Sequence, residues 1–167
     1  NLVALFALAQ DTMLRGQGWL FLDAGRRAER AILLVALLRS MVVARRDEAV
    51  EPQNLEAVLR ATESLMAYQR AYHERPRIDA VLALLLLDET NPRSLTFQLG
   101  EIQRAISALA HDDARVELAE EERLVLDAAT SLRLADLTAL AGDADGGGRQ
   151  ALDELLDRIG SLLRRTS

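Results

Sequence analysis

The chain has 167 residues, of which 50% are hydrophobic and only 4% aromatic, and its formal net charge at pH 7 is -6. This length fits one domain with a substantial core, and we expect residues 1–167 to form that domain. The acidic balance argues against nucleic acid or an anionic membrane as the main partner. The absence of cysteine excludes disulfides and thiolate metal sites, and the absence of lysine excludes Schiff-base chemistry and a Walker lysine.

Sequence signals for a membrane or for export are missing. No apolar run approaches the roughly 18 residues that a membrane-spanning helix needs. The apolar residues 2–8 lack the basic flank and the cleavage site of a signal peptide. We therefore expect a cytoplasmic protein without a membrane contact.

Hydrophobic spacing predicts helices along the whole chain, in keeping with its abundant Ala and Leu and its three prolines. The glycine-rich residues 142–148 are predicted to be a flexible linker before the last helix. The predicted helices cover residues 2–13, 19–46, 55–74, 78–87, 91–110, 116–141 and 150–165. Since no strand is predicted, the fold class is all-α, and we expect an antiparallel bundle of six or seven helices.

The helix predicted at residues 55–74 has one apolar stripe. We expect Asn54 to cap its start and Pro76 to end it. In the same way, Asn91 is expected to cap the helix that is predicted to run to about residue 110, with Pro92 in its first turn. The side chains expected to be buried in the stripe are Leu55, Val58, Leu59, Thr62, Leu65, Met66, Gln69 and Tyr72.

The long helix at residues 19–46 carries charges among apolar residues. On a helical wheel, Asp23, Arg26 and Arg30 fall within about 40° of Trp19, in the sector of Leu33 and Leu37. Buried charge is costly unless it is paired. We therefore expect the first ionic cluster to find partners on this helix or on its neighbours, with at least one arginine pairing outside the helix. The members of this cluster are Asp23, Arg26, Glu29 and Arg30.

Two explanations of the first ionic cluster remain open. One is an anion or substrate site, in which an arginine fork holds a carboxylate or phosphate. The other is a buried network that fixes helix register. Gly25, in the interior of the same helix, costs about 1 kcal/mol relative to Ala. A close approach of a neighbouring helix would explain why it is there.

A second polar cluster lies between two predicted helices and comprises Asp88, Glu89, Asn91 and Arg93, followed by Ser94. Negative charge is unfavourable at a helix C-terminus, so we expect an arginine of the long helix to pair with Asp88 or Glu89. Arg93 at the next helix start could help to bind an anion. The alternative is a tight structural turn. If the two clusters meet in space, a polar pocket becomes the better explanation.

No other motif carries a clear chemistry. The segment Arg15–Trp19 has two glycines before a helix, but without a preceding strand or a third glycine it predicts a plain helix connection with Trp19 in the core. His73 and His111 stand alone, and neither has metal-ligand spacing. No nucleophile–base set can be drawn. We expect no metal and no cofactor.

Three blocks of sequence together resemble a known bacterial family. They are R-G-Q-G-W at residues 15–19, G-R-R-A-E-R-A at residues 25–31 and L-L-L-D-E-T-N-P-R-S-L at residues 85–95. The resemblance is to the alpha-E family, a helical domain named for a Glu-Arg motif, which Glu29 and Arg30 match. It covers roughly residues 1–110, and since the family's members are usually about twice this long, the chain resembles the later part of such a domain.

The resemblance implies a role near amide-bond formation. Genes of the family lie beside, or are fused to, a circularly permuted ATP-grasp ligase, often with a transglutaminase-like protein. The leading hypothesis is a non-catalytic helical module that binds such a ligase or its substrate. The alternatives are an enzyme domain that uses Glu29 as acid or base beside Arg26 and Arg30, and a purely structural bundle that forms a homodimer.

Overall fold

A computed structural model of the chain describes residues 16–110, 118–142 and 148–166, and all structural statements below concern these residues. They form eight α-helices and one π-helical segment, Ala83–Leu87, which continues the fourth helix. The helices are α1 (Gln17–Met41), α2 (Glu51–Ala61), α3 (Leu65–Tyr72), α4 (Ile78–Leu82), α5 (Leu95–Ala110), α6 (Glu120–Arg133), α7 (Leu137–Ala141) and α8 (Gln150–Thr166). Within these ranges no strand is present, which confirms the all-α fold class.

The four longest helices form a closed ring of contacts. α1 contacts α5, α5 contacts α6, α6 contacts α8, and α8 contacts α1 again. The shorter helices α2 and α7 pack against this ring, and α4 contacts both of them, while the π-helical segment contacts α5 and α6. The fold is therefore a helical bundle, as the sequence predicts. The side chains that α1 buries in the core are Ala28, Ala31, Leu34, Val35 and Leu38.

The long helix predicted at residues 55–74 is broken into α2 and α3. α2 ends in a Schellman motif, in which the Ser64 amide donates to the Leu59 carbonyl oxygen and the Glu63 amide to that of Arg60. Glu63 takes the left-handed conformation, with φ at 54°. The break changes the buried face of the second half, so Met66 and Gln69 are exposed, contrary to prediction, while Tyr68 is completely buried.

The start of α2 also differs from prediction. The helix begins at Glu51, so Asn54 is not its cap. Asn54 instead donates from Nδ2 to the Met41 carbonyl oxygen at 2.6 Å, where it serves one of the free carbonyl groups at the end of α1. α1 itself ends at Met41, five residues before the predicted end.

The segment predicted as one helix at residues 78–87 does form, but its second half is π-helical. The last carbonyl groups of a helix have no partner within the helix, and here side chains of the following turn and of the start of α5 satisfy two of them. Asn91 Nδ2 donates to the Leu84 carbonyl oxygen at 3.0 Å, and Thr96 Oγ1 donates to that of Leu86 at 2.7 Å. This turn therefore serves as the cap of the central apolar segment.

The C-terminal half shows one further break and one confirmed helix. The helix predicted at residues 116–141 is divided into α6 and α7, because the Asp136 carboxylate accepts a hydrogen bond from the Thr138 amide and caps a new helix start. α8 has nearly the predicted bounds and docks against α1 and α6 of the same bundle. Residues 143–147 of the predicted linker lie outside the described residues, as does the helix predicted at residues 2–13.

Arg149 fixes the start of α8. Its side chain is buried, donates from Nη1 to the Val42 carbonyl oxygen at 2.8 Å, and forms an ion pair with Glu51. Its backbone amide donates to the Val43 carbonyl oxygen at 2.9 Å. The ends of α1, α2 and α8 are thereby held at one point.

Candidate functional site

A groove between α1, α2 and the start of α5 has a volume of about 230 Å³. Both polar clusters of the sequence reach it, since Arg30 comes from the first and Arg93 from the second. Thr62, Glu63 and Gln98 complete its polar lining. We call Arg30, Arg93, Glu63 and Gln98 the groove residues.

Two neighbouring arginines of α1 have different environments. Arg27 is largely buried and lies with Nε 2.7 Å from Asp23 and Nη2 3.0 Å from Glu101 of α5. Its guanidinium carbon also lies 5.8 Å from the centre of the Phe97 ring. Arg30 is exposed, lines the groove and has no ion pair with any residue in the described ranges.

The prediction that the first ionic cluster forms a buried stripe is therefore wrong in part. Glu29 and Arg30 are exposed, and Leu33 is 61% exposed. Asp23 and Arg26 are half-buried. The expectation that an arginine of this helix pairs outside it is met by Arg27, which is not a member of the predicted cluster.

Most of the second polar cluster has a structural role in the turn before α5. The Asp88 carboxylate accepts hydrogen bonds from the Thr90 hydroxyl at 2.6 Å and from the Thr90 amide at 2.8 Å. These bonds, that of the hydroxyl first, hold the pKa of the Asp88 carboxyl below its usual value, against the opposing effect of burial. The carboxylate therefore stabilises the turn in its charged form.

The partners predicted for the second cluster are wrong. No arginine of α1 pairs with Asp88 or Glu89 in the described structure, and Glu89 lies 3.7 Å from Arg133 of α6 instead. Asn91 is buried against the π-helical segment and does not cap α5, which begins at Leu95. The cap is Ser94, whose hydroxyl accepts a hydrogen bond from the Phe97 amide at 3.1 Å.

Arg93 is the member of the second cluster that lies at the groove. It forms an ion pair with Glu63. Glu63 occupies the left-handed position that ends α2, where glycine is the usual residue and a larger side chain costs about 1 kcal/mol or more. This conformation places a carboxylate at the groove, which a glycine would not supply.

Gln98 is the least expected groove residue. It is only 2% exposed, and its Nε2 donates to the Pro92 carbonyl oxygen. Its Oε1 is buried and has no hydrogen-bond partner in the described structure. An unpaired buried acceptor is costly and rare, so Gln98 is a groove residue with an unsatisfied hydrogen-bonding group in the described structure.

The groove can bind an anion, but it does not contain a recognisable catalytic set. Arg30 supplies a cation without a carboxylate partner among the described residues, whereas Arg93 is already paired with Glu63. Over the described ranges, no group of three or more His, Asp or Glu side chains could hold a metal ion. Glu29, the candidate acid or base, does not line the groove.

Comparison with known proteins decides the family. The model of the Alpha-E family, described as a predicted alpha-helical domain with a conserved ER motif, matches residues 1–167. The chain belongs to the Alpha-E family. The match extends well past residue 110, where the resemblance of individual motifs ends.

Curated relatives of this Alpha-E chain include mycobacterial proteins that are described as uncharacterized. Proteins of Mycobacterium bovis and Mycobacterium tuberculosis are 33% identical over 164 residues, which is 98% of this chain and 18% of each relative. The chain therefore spans less than a fifth of the length of these curated relatives. No solved structure matches it. None of the helices in the described ranges is both long and apolar enough to cross a membrane.

Sequence reasoning did not find Glu63, Gln98 or Arg27. Glu63 lies within what the periodicity predicts as continuous helix, and without a glycine nothing signals the left-handed break. Gln98 falls on the buried face of α5 among apolar residues. The one available signal for Arg27 was its spacing of four residues from Asp23, which predicts an ion pair on a helix.

Proposed function

We propose that this Alpha-E chain is a non-catalytic helical module that serves an ATP-grasp-dependent, amide-bond-forming system in the cytoplasm. It binds the ligase, or the ligase's substrate, through the groove. The observation that carries the proposal is that Arg30 of the Glu-Arg motif and Arg93 of the family block at residues 85–95 line the same open groove. The ligase itself enters through the family resemblance.

The environment of the Arg30 side chain supports a binding role over a structural one. An arginine that fixes helix register needs an internal carboxylate partner. Arg27 has two such partners, Asp23 and Glu101, whereas Arg30 has none among the described residues. Its guanidinium is therefore available to a carboxylate or phosphate from outside.

The test is a calorimetric titration of the 167-residue chain with the ATP-grasp protein from the same genome. Wild type is compared with Arg30→Ala and with Arg70→Ala, which changes an exposed arginine of α3 outside the groove. We expect wild type and Arg70→Ala to bind, and Arg30→Ala to lose binding at an unchanged melting temperature. Equal binding by all three would remove the groove from the proposal.

A second candidate function is a structural bundle that forms a homodimer. It is favoured by two large apolar side chains exposed on α1, Phe21 at 66% and Leu33 at 61%. Exposed apolar side chains can mark contact surfaces, and these two lie on one helix, twelve positions apart. Sedimentation of wild type and Phe21→Ser tests it: a wild-type dimer that the substitution dissociates would support the homodimer, and a monomeric wild type would exclude it.

A further inference from the structure

On the basis of the binding role proposed above, we ask which ligand fits the groove. Its volume of about 230 Å³ lies below the range of about 300–1,000 Å³ that is usual for sites of drug-sized ligands. A ligand of single-residue size is therefore the best match. Larger partners could present only one residue to it.

The charges of the groove select a monoanion. Two arginines and one glutamate line it, and Arg93 is already paired with Glu63. This leaves Arg30 as the one lining cation without a carboxylate among the described residues. A dianion such as phosphate would face Glu63 with a single free cation opposite, whereas a carboxylate matches one arginine fork.

Gln98 lines the same groove as Arg30 and adds a hydrogen-bond acceptor to it. The buried Gln98 Oε1 can only accept, and it has no partner in the described structure. An N–H group would satisfy it. A carboxylate alone, such as acetate, would leave this acceptor unpaired.

The remaining wall of the groove is apolar except for Thr62, whose hydroxyl donates to carbonyl groups of its own helix. Leu33, Leu34 and Leu37 line it from α1, and Ala61 lines it from the end of α2. A groove with aliphatic side chains on one side and polar groups on the other suits a ligand that has an aliphatic part and a polar part. An aliphatic amino acid has such a shape, with its carboxylate and nitrogen on one carbon and its side chain beside them.

We propose that the groove binds an α-amino-acid unit with a free carboxylate, in which Arg30 holds the carboxylate, Gln98 Oε1 accepts from the nitrogen, and the leucines contact an aliphatic side chain. The unit can be a free amino acid or the last residue of a peptide. Glu63 favours the free amino acid over the last residue of a peptide. Its carboxylate attracts a free ammonium group, but it repels an acylated residue that carries only negative charge.

The experiment is an NMR titration of the ¹⁵N-labelled 167-residue chain with four probes, namely N-acetyl-L-leucine, N-acetyl-L-leucinamide, L-leucine and inorganic phosphate. We expect N-acetyl-L-leucine to shift signals of the groove residues. The amide, which lacks the carboxylate, should bind at least about tenfold more weakly. Phosphate binding as tight as that of N-acetyl-L-leucine, or no shift with N-acetyl-L-leucine and none with L-leucine, would overturn the proposal.

Variants assign the contacts. Arg30→Gln should weaken N-acetyl-L-leucine binding at least about tenfold, while Arg70→Gln leaves it unchanged. Glu63→Gln should strengthen N-acetyl-L-leucine binding, and it should weaken L-leucine binding if Glu63 holds the ammonium group. An Arg30→Gln chain that binds like wild type would contradict the assignment of the carboxylate.

The outcomes separate this ligand from the proposed function. No ligase is present in the titration, so amino-acid binding without any ligase binding would leave the ligand in place and remove the ligase role. Ligase binding that depends on Arg30, together with no response to N-acetyl-L-leucine or to L-leucine, would leave the ligase role in place and remove the ligand.

Discussion

Arg27 of α1 lies 3.0 Å from the carboxylate of Glu101 on α5 and so joins these two neighbouring helices of the ring. The same guanidinium contacts Asp23 on its own helix. Three residues later, Arg30 points to a groove and has no such partner among the described residues. The two arginines on either side of Ala28 and Glu29 therefore differ in what they contact, and the first prediction follows from this difference.

Arg27→Ala should destabilise the fold by about 1–3 kcal/mol, because both Asp23 and Glu101 would lose a largely buried partner. The measurement is the free energy of unfolding in urea. Arg60→Ala is the control, since its pair with Glu56 is a solvent-exposed one on a single helix and should contribute less than about 1 kcal/mol. An equal loss in the two variants would contradict this account of Arg27.

Arg149→Ala should cost about 3 kcal/mol or more, because it leaves Glu51 and the Val42 carbonyl oxygen without their buried donor. The matched control is Arg158→Ala on the same helix, whose exposed pair with Asp127 should be worth less than about 1 kcal/mol. Thermal unfolding of the two variants at pH 7 decides between them. Arg149→Ala with the stability of the control would show that α8 is held by its apolar face alone.

Gly25→Ala should stabilise the chain by about 0.5–1 kcal/mol, because alanine is the better helix former and the added Cβ meets nothing within 4 Å in the described structure. Among the described residues, no helix makes the close approach that is expected at this position. Gly160→Ala makes the comparison, since its Cβ would lie 3.2 Å from Val35 Cγ1. We expect its melting temperature to fall short of that of Gly25→Ala.

Asp88→Asn should lower the unfolding free energy by about 1 kcal/mol at pH 7, because a charged acceptor forms stronger hydrogen bonds than an amide does. The pKa of the Asp88 carboxyl is lowered on folding. Its stabilisation is thus complete above the unfolded pKa of about 3.9 and is lost as pH falls through the lower folded pKa.

Urea titrations of wild type and Asp88→Asn from pH 7 to pH 2 measure this effect. The difference between the two proteins should stay constant down to about pH 4 and then shrink. A difference that is the same at pH 2 as at pH 7 would mean that the charge of Asp88 does not support the turn.

The sequence predicts those parts of the fold that local chemistry determines. The helix at residues 150–165 was predicted from its apolar spacing alone, and Leu152, Leu156, Ile159 and Leu163 are indeed buried. The break at Glu63 was not predictable in this way, since the chain has no glycine at the left-handed position. Helical spacing also does not show which face of α1 packs against the neighbouring helices. For this reason it places Leu33 in the same sector as residues expected to be buried, although Leu33 is exposed.

The candidate site depends even more on tertiary structure. Arg30 and Arg93 are 63 positions apart in the sequence, and only the packing of α1 against α5 brings them to one groove. Burial of Arg149 likewise depends on carbonyl groups at the end of α1, more than 100 positions away. Both family blocks could be found from sequence, but not which of their residues meet.

The most direct test measures the melting temperature and ligase binding of Arg27→Ala and Arg30→Ala side by side, each in the 167-residue chain. The account predicts opposite defects: Arg27→Ala lowers the melting temperature, whereas Arg30→Ala keeps it and loses binding. If Arg30→Ala instead melts as low as Arg27→Ala, or binds the ligase like wild type, then the groove arginine is not a recognition residue and the proposed function is wrong.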